Sequence, residues 1–211
     1  NTTLSGETID YGPCAFMDTY HPDTVYSFID RQGRYAFANQ PRIIVWNMAQ
    51  LATALVPLMP DADEAVERFT QAVHAMPAQI EAEWLREYGR KIGIEEARAE
   101  DAGLITGLLT CMAEGSADFT NTFRALANQA QARDQFLDPQ AFDTWERDWR
   151  ARLAQERDPG AVMRAANPVL IPRNHRIEQM IEAAVAGDYG PFARLTKALA
   201  RPFEAQDDFT D

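Results

Sequence analysis

Cysteine and histidine are scarce in this chain, and positive charge is in deficit. Cys14 and Cys111 are the only cysteines, and they lie far apart without metal-ligand spacing. Such a pair builds no disulfide framework and reads as reduced thiols of a cytosol-like compartment. His21 and His74 lack the partner spacing that a zinc site needs. Twenty Lys and Arg against 32 Asp and Glu leave a net charge of -12 and a pI near 4.7. That balance sets the chain against coating nucleic acid or an anionic membrane, since both surfaces repel it. Any phosphate ligand must therefore be held locally, by a metal or a few placed cations. No apolar run approaches the roughly 18 residues of a membrane span, and no basic-plus-apolar leader is expected. Asn1-Thr2-Thr3 fits the glycosylation sequon, but nothing else speaks for secretion. The chain is expected to be soluble and cytoplasmic, with no nucleic-acid or membrane partner.

What is present is enough apolar material for a core: 46% of the 211 residues are hydrophobic. Residues 1–39 are expected to form a small head. Leu4 and Ile9 flank a Ser5-Gly6 turn like two strands of a β-hairpin, and turns follow at His21-Pro22-Asp23 and Arg31-Gln32-Gly33. Residues 40–211 read as a helical body. Pro41 sits at a first helical position ahead of Ile43, Val45, Trp46, Met48 and Leu51, with Pro57 and Pro60 ending that segment. Val66, Phe69, Val73 and Met76 make one stripe, and Trp84, Leu85, Tyr88 and Ile92 a second, stopped by Gly93; Pro77 separates them or kinks one long helix.

Further along, Leu104 to Met112 form the most apolar helix, and Phe119, Phe123 and Leu126 belong to a shorter one. Asp138-Pro139 starts a helix that buries Phe142, Trp145, Trp149 and Leu153. An extended connector from Asn167 to His175 breaks helix at Pro168 and Pro172. Two helices then carry Ile177 to Val185 and Phe192 to Leu199, ahead of a frayed acidic end. No internal repeat or long linker divides the chain.

The chemistry candidates sit in the head. A hairpin turning at Ser5-Gly6 brings Asn1 and Asp10 together, and both carry oxygen donors. Magnesium in nucleotide sites is commonly held by one or two protein oxygens plus phosphate and water oxygens, so the pair is chemically sufficient. Spacing alone leaves the plainer reading open, in which Asp10 caps the Tyr11-Gly12-Pro13 turn and Asn1 binds nothing.

The string Asn1-Thr2-Thr3-Leu4-Ser5-Gly6-Glu7-Thr8-Ile9-Asp10-Tyr11-Gly12-Pro13 resembles the active-site segment of the selenoprotein O family, also called the YdiU family. Its members are protein adenylyltransferases on a protein-kinase-like fold. Asp30 to Phe37, Asn39-Gln40-Pro41, Trp46-Asn47-Met48, Asn167-Pro168 and Pro172 to His175 look like that family's downstream signatures, in family order. The resemblance implies a mainly α fold: the helical C-lobe of a kinase-like protein with a small N-terminal hairpin and turn segment. It implies that Asp10 binds magnesium and the phosphates of ATP, that Asn1 is the second magnesium ligand, and that Gly12 lets the backbone turn away. The reaction implied is transfer of AMP from ATP to Ser, Thr or Tyr hydroxyls of proteins.

The family's catalytic Asp stands immediately before the Asn, so no catalytic base is expected within this chain. The glycine-rich, lysine-bearing N-lobe and the cysteine- or selenocysteine-bearing carboxyl end are also without counterparts here. The chain is thus expected to be a piece of a larger enzyme, inactive alone. Arg173, Asn174 and His175 are expected to cap a helix rather than touch the site. Cys14 reads as a small buried residue, and Trp145 and Trp149 as core. Two rival functions stay open: a kinase-like phosphotransferase using the same metal ligands, and a non-catalytic helical interaction domain.

Overall fold

The computed structural model describes residues 16–128 and 132–206, together with Ser5. Eight α-helices organise them: α1 (Gln40–Leu55), α2 (Ala62–Lys91), α3 (Ala102–Glu114), α4 (Phe119–Leu126), α5 (Gln140–Leu153), α6 (Pro159–Ala166), α7 (Asn174–Val185) and α8 (Gly190–Leu199). α1 lies along α2, whose far end also meets α3 and α6; α5 packs on α3, α4 on α6, and α7 pairs with α8.

The two stripes around Pro77 belong to one helix. α2 runs unbroken for 30 residues, about 45 Å at the usual helical rise. Pro77 lacks the N–H that would reach the Val73 carbonyl, and the helix tolerates this single lost bond. Its start is fixed by Asp61, whose carboxylate accepts from the Asp63 and Glu64 amides, both at 3.0 Å. Its end is a Schellman closure: Gly93 takes φ +89°, its N–H reaches the Arg90 carbonyl at 3.1 Å, and the Ile94 N–H reaches Gly89 at 2.9 Å. That reversal drops Ile92 and Ile94, both at 0% exposure, into the core.

The core is built by α3, α4, α5 and α6 around this reversal, with Leu108, Met112, Phe123, Leu126, Phe142, Trp149 and Met163 buried. Trp145 and Trp149 stack at 5.2 Å, and each indole N–H finds a carbonyl at 2.8 Å, Leu104 and Ile92 respectively. Both tryptophans are therefore core residues with satisfied donors, as their helical spacing suggests. Asp101 at the entry to α3 is buried and gripped by Arg152 through two bonds of 2.7 and 3.2 Å, while the Arg98 amide donates at 2.8 Å. Burial pushes its carboxyl pKa up, but the bonds from Arg152 and Arg98 prevail and hold it below the usual value.

Helix α6 is absent from the sequence expectations, which leave residues 154–166 unassigned. Here Asp158 accepts from the Ala161 amide at 2.9 Å and Pro159 occupies the first turn, which together start the helix.

The expected fold class needs correction. Among the described residues there is no β-strand or hairpin, and the architecture is helical throughout, with one isolated bridge between Thr19 and Asp118. The described part of the head, residues 16–39, closes local turns and otherwise makes single bonds, to Ala117 and Phe119 and from Phe37 and Ala38 back to Thr24 and Pro22. Thr24 bonds His21, Asp30 bonds Ser27, and Gly33 bonds Asp30, leaving no run of residues free to pair as a ladder. Leu4 and Ile9, the flanks of the expected hairpin, lie outside the described residues. None of the described helices is long and apolar enough to cross a membrane.

Candidate functional site

The candidate ligands Asn1 and Asp10, and with them Gly12 and Cys14, lie outside the described residues. The structure does show how the chain leaving that segment is held. Met17 and Tyr20 are buried, and between them the backbone is pinned to the junction of α3 and α4. The Phe119 N–H donates to the Asp18 carbonyl at 2.7 Å, and the Tyr20 N–H donates to Ala117 at 2.9 Å. Side chains then lock the same junction. Arg173 forks onto Asp118 at 2.7 and 3.2 Å and also donates to the Asp18 carboxylate. Asp118 simultaneously caps α4 by accepting from the Asn121 amide at 2.8 Å.

This arrangement revises the reading of Arg173. It stands at the N-cap position of α7 but makes no side-chain cap bond. With 19% of its side chain exposed, it bridges two carboxylates from different parts of the chain. Bonding to Asp118, aided by Asp18 and opposed by burial, raises its pKa above the ordinary arginine value. A two-carboxylate partner set for a planar guanidinium is geometrically specific in a way lysine cannot copy. His175 and Asn174 are exposed, as is His74. The His21 Nδ1 accepts from the Asp23 amide at 3.2 Å within its own turn.

Beneath the pinned segment runs a chain of rings. Tyr20 stacks on Phe119 at 5.7 Å, Phe119 meets Phe123 edge-on at 5.1 Å, and Phe123 meets Tyr88 at 6.1 Å. Phe37 closes over Tyr20 and Phe119 at 6.0 and 5.8 Å, which returns the head to the body. Lys91 points its ammonium over Phe123 and Phe119 and donates to the Asn167 side chain at 3.2 Å. Burial lowers the Lys91 pKa, with Glu87 opposing. Asn167, fully buried, donates back to the Lys91 and Phe123 carbonyls at 2.8 and 3.2 Å. Asn167 thus joins the end of α2 to α4 and α6.

Sequence reasoning missed Asp18 and Asp118. Asp118 carried a usable signal, a helix-capping acid just before Phe119. Asp18 had none, because its partner Arg173 is 155 residues away. Among the described residues no three His, Cys, Asp or Glu side chains converge as a metal site.

Comparison with known proteins defines the class. The family profile described as "Protein adenylyltransferase SelO" matches residues 1–200. A protein of Roseobacter denitrificans described as "Protein nucleotidyltransferase YdiU" is 65% identical over 207 residues, covering 98% of this chain and 44% of that protein. Proteins with the same description from Ruegeria sp. strain TM1040 and Ruegeria pomeroyi are 59% and 61% identical over 211 residues, again covering 44% of each relative. The chain belongs to the SelO/YdiU family of nucleotidyltransferases. It spans less than half the length of these curated relatives.

Proposed function

We propose that this chain supplies part of the active site, within residues 1–39, and a helical body, residues 40–211, of a protein adenylyltransferase acting in the cytoplasm. The enzyme would transfer AMP from ATP to a Ser, Thr or Tyr hydroxyl of another protein. The observation that carries this reading is the family match over residues 1–200, which includes the whole Asn1–Pro13 block.

The carboxamide of Asn1 and the carboxylate of Asp10 are hard oxygen donors, the donor type that magnesium takes beside nucleotide phosphates. Bound there, the ion would neutralise charge on the phosphate oxygens during in-line transfer. Asp10 would hold the ion against the phosphates, and Asn1 would complete the protein's share of the ligand set. The Arg173 clamp on Asp18 and Asp118 would limit how far the segment drifts, because misplacement by an ångström is costly to phosphoryl chemistry. The hydroxyl acceptor also needs a base, and neither Asn1 nor Asp10 is free to serve as one.

The test uses the intact parent protein with ATP labelled separately at the α- and γ-phosphates. Label from the α position alone on the acceptor protein supports adenylylation. Label from the γ position would make the enzyme a phosphotransferase, and no label from either would favour a non-catalytic helical domain.

A further inference from the structure

Residues 31–60 contain three arginines and no acidic residue, in a chain whose 32 Asp and Glu all lie elsewhere. Six residues of this window, Gln32, Arg34, Asn39, Arg42, Ile43 and Trp46, line a surface cleft of about 250 Å³. One wall is a turn built to stay in place. The Asp30 carboxylate accepts from the Arg34 and Tyr35 amides at 2.9 and 2.7 Å, and Gly33 takes φ +64°. The Asn39 amide then ties α1 to the turn through the Gly33 carbonyl at 3.2 Å. The Arg34 guanidinium rests 4.5 Å from the Trp46 ring, across the cleft on α1. Among the described residues neither Arg34 nor Arg42 has a carboxylate within ion-pair distance.

Two guanidiniums with no carboxylate partner among the described residues, one of them stacked on an indole that is 49% exposed, form a local cationic face on a strongly acidic molecule. Stability does not require this. An exposed arginine gains nothing by avoiding the carboxylates so common in the rest of the chain, and an unpaired fork is ready for an incoming one. Phe28 and Tyr35, 93% and 54% exposed, stand on the same turn region and add apolar contact area. Stacked arginine, exposed aromatics and amide side chains are the usual anchors of a peptide interface.

We propose that this cleft docks an acidic peptide segment of the protein to be modified, its Asp or Glu carboxylates taken by Arg34 and Arg42 against the Trp46 ring. The proposal rests on the adenylyltransferase reading for the identity of the partner. The remainder of the parent chain and a second copy are the competing occupants. Charge complementarity favours the acidic segment over a second copy, because this chain's own acid-rich surfaces would bring two molecules of like net charge together.

The test uses the intact parent protein and a fluorescein-labelled glutamate-rich peptide bearing one tyrosine, alongside its glutamine-for-glutamate counterpart. At about 0.01 M salt, where the Debye length is about 30 Å, fluorescence anisotropy should show about tenfold tighter binding of the glutamate peptide. R34E/R42E should abolish that preference, and the milder R34Q/R42Q should reduce it, with unchanged thermal melting for at least the milder variant. With the glutamate peptide as AMP acceptor, R34Q/R42Q should raise KM and leave kcat within about twofold. A parent protein with no glutamate preference, a preference that survives both double variants, or a parent dimer dispersed by R34E/R42E would each overturn the proposal. Because binding is read without turnover, acidic-peptide binding without AMP transfer would sink the adenylyltransferase reading and leave the cleft's role standing.

Discussion

Two regions of this molecule are built on opposite terms. Around the end of α2, helices α3 to α6 bury tryptophan, phenylalanine and isoleucine completely and pair the buried Asp101 with Arg152. In α1, by contrast, no residue is buried, and in α2 before Gly89 only Ala65 is. Trp46 and Val66 there are about half exposed. The first region spends its side chains on stability. The second leaves aromatic and cationic groups facing outward, which makes it a surface for contact rather than a core.

The largest expected break in that comparison is Trp149→Ala. It removes a fully buried indole and its bond to Ile92, and should cost about 3–5 kcal/mol in urea unfolding. Arg173→Leu comes next. It leaves Asp118 and Asp18 without their shared partner, and should cost about 1.5–3 kcal/mol by the same measurement. In the parent protein it should lower AMP transfer more than Asn174→Ala does.

A pH titration sharpens the contrast further. Burial, with smaller contributions from Tyr20 and Tyr26, raises the Tyr88 pKa above its ordinary 10.0. Above pH 10 the folded chain keeps a proton that the unfolded chain releases, so this contribution to stability is lost as pH climbs. Tyr88→Phe should make the decline in unfolding free energy above pH 10 shallower. The smallest effect belongs to the outward-facing region: Arg34→Ala should change stability by no more than about 0.5 kcal/mol.

The helical body was largely legible in the residues. The apolar spacing of α3, α5 and α8, and the stops at Gly93 and Gly187, carry local signals that survive folding. Of the two outcomes open for Pro77, separation or one long helix, the single helix is found, and packing of α2 against α1 and α6 outweighs one lost backbone bond. Helix α6, eight residues opening on Pro159-Gly160, was not anticipated. The β content expected of the head is not found among the described residues, where the strand signal was only a few alternating residues, whereas the turns expected near His21 and Gly33 do close, Thr24 on His21 and Gly33 on Asp30. The clamp was invisible for a different reason: Asp18, Asp118 and Arg173 are brought together only by the fold. The candidate ligands themselves came from a contiguous motif, the kind of site a sequence can carry without its structure.

The central claim is that Asp10 and Asn1 together hold a divalent cation against ATP. Manganese binding to the intact parent in the presence of ATP, followed by electron paramagnetic resonance, tests it most directly. Asp10→Ala should weaken manganese affinity by at least about tenfold and Asn1→Ala by somewhat less, with the fold intact by circular dichroism. Unchanged manganese affinity in a folded Asp10→Ala protein would contradict the account.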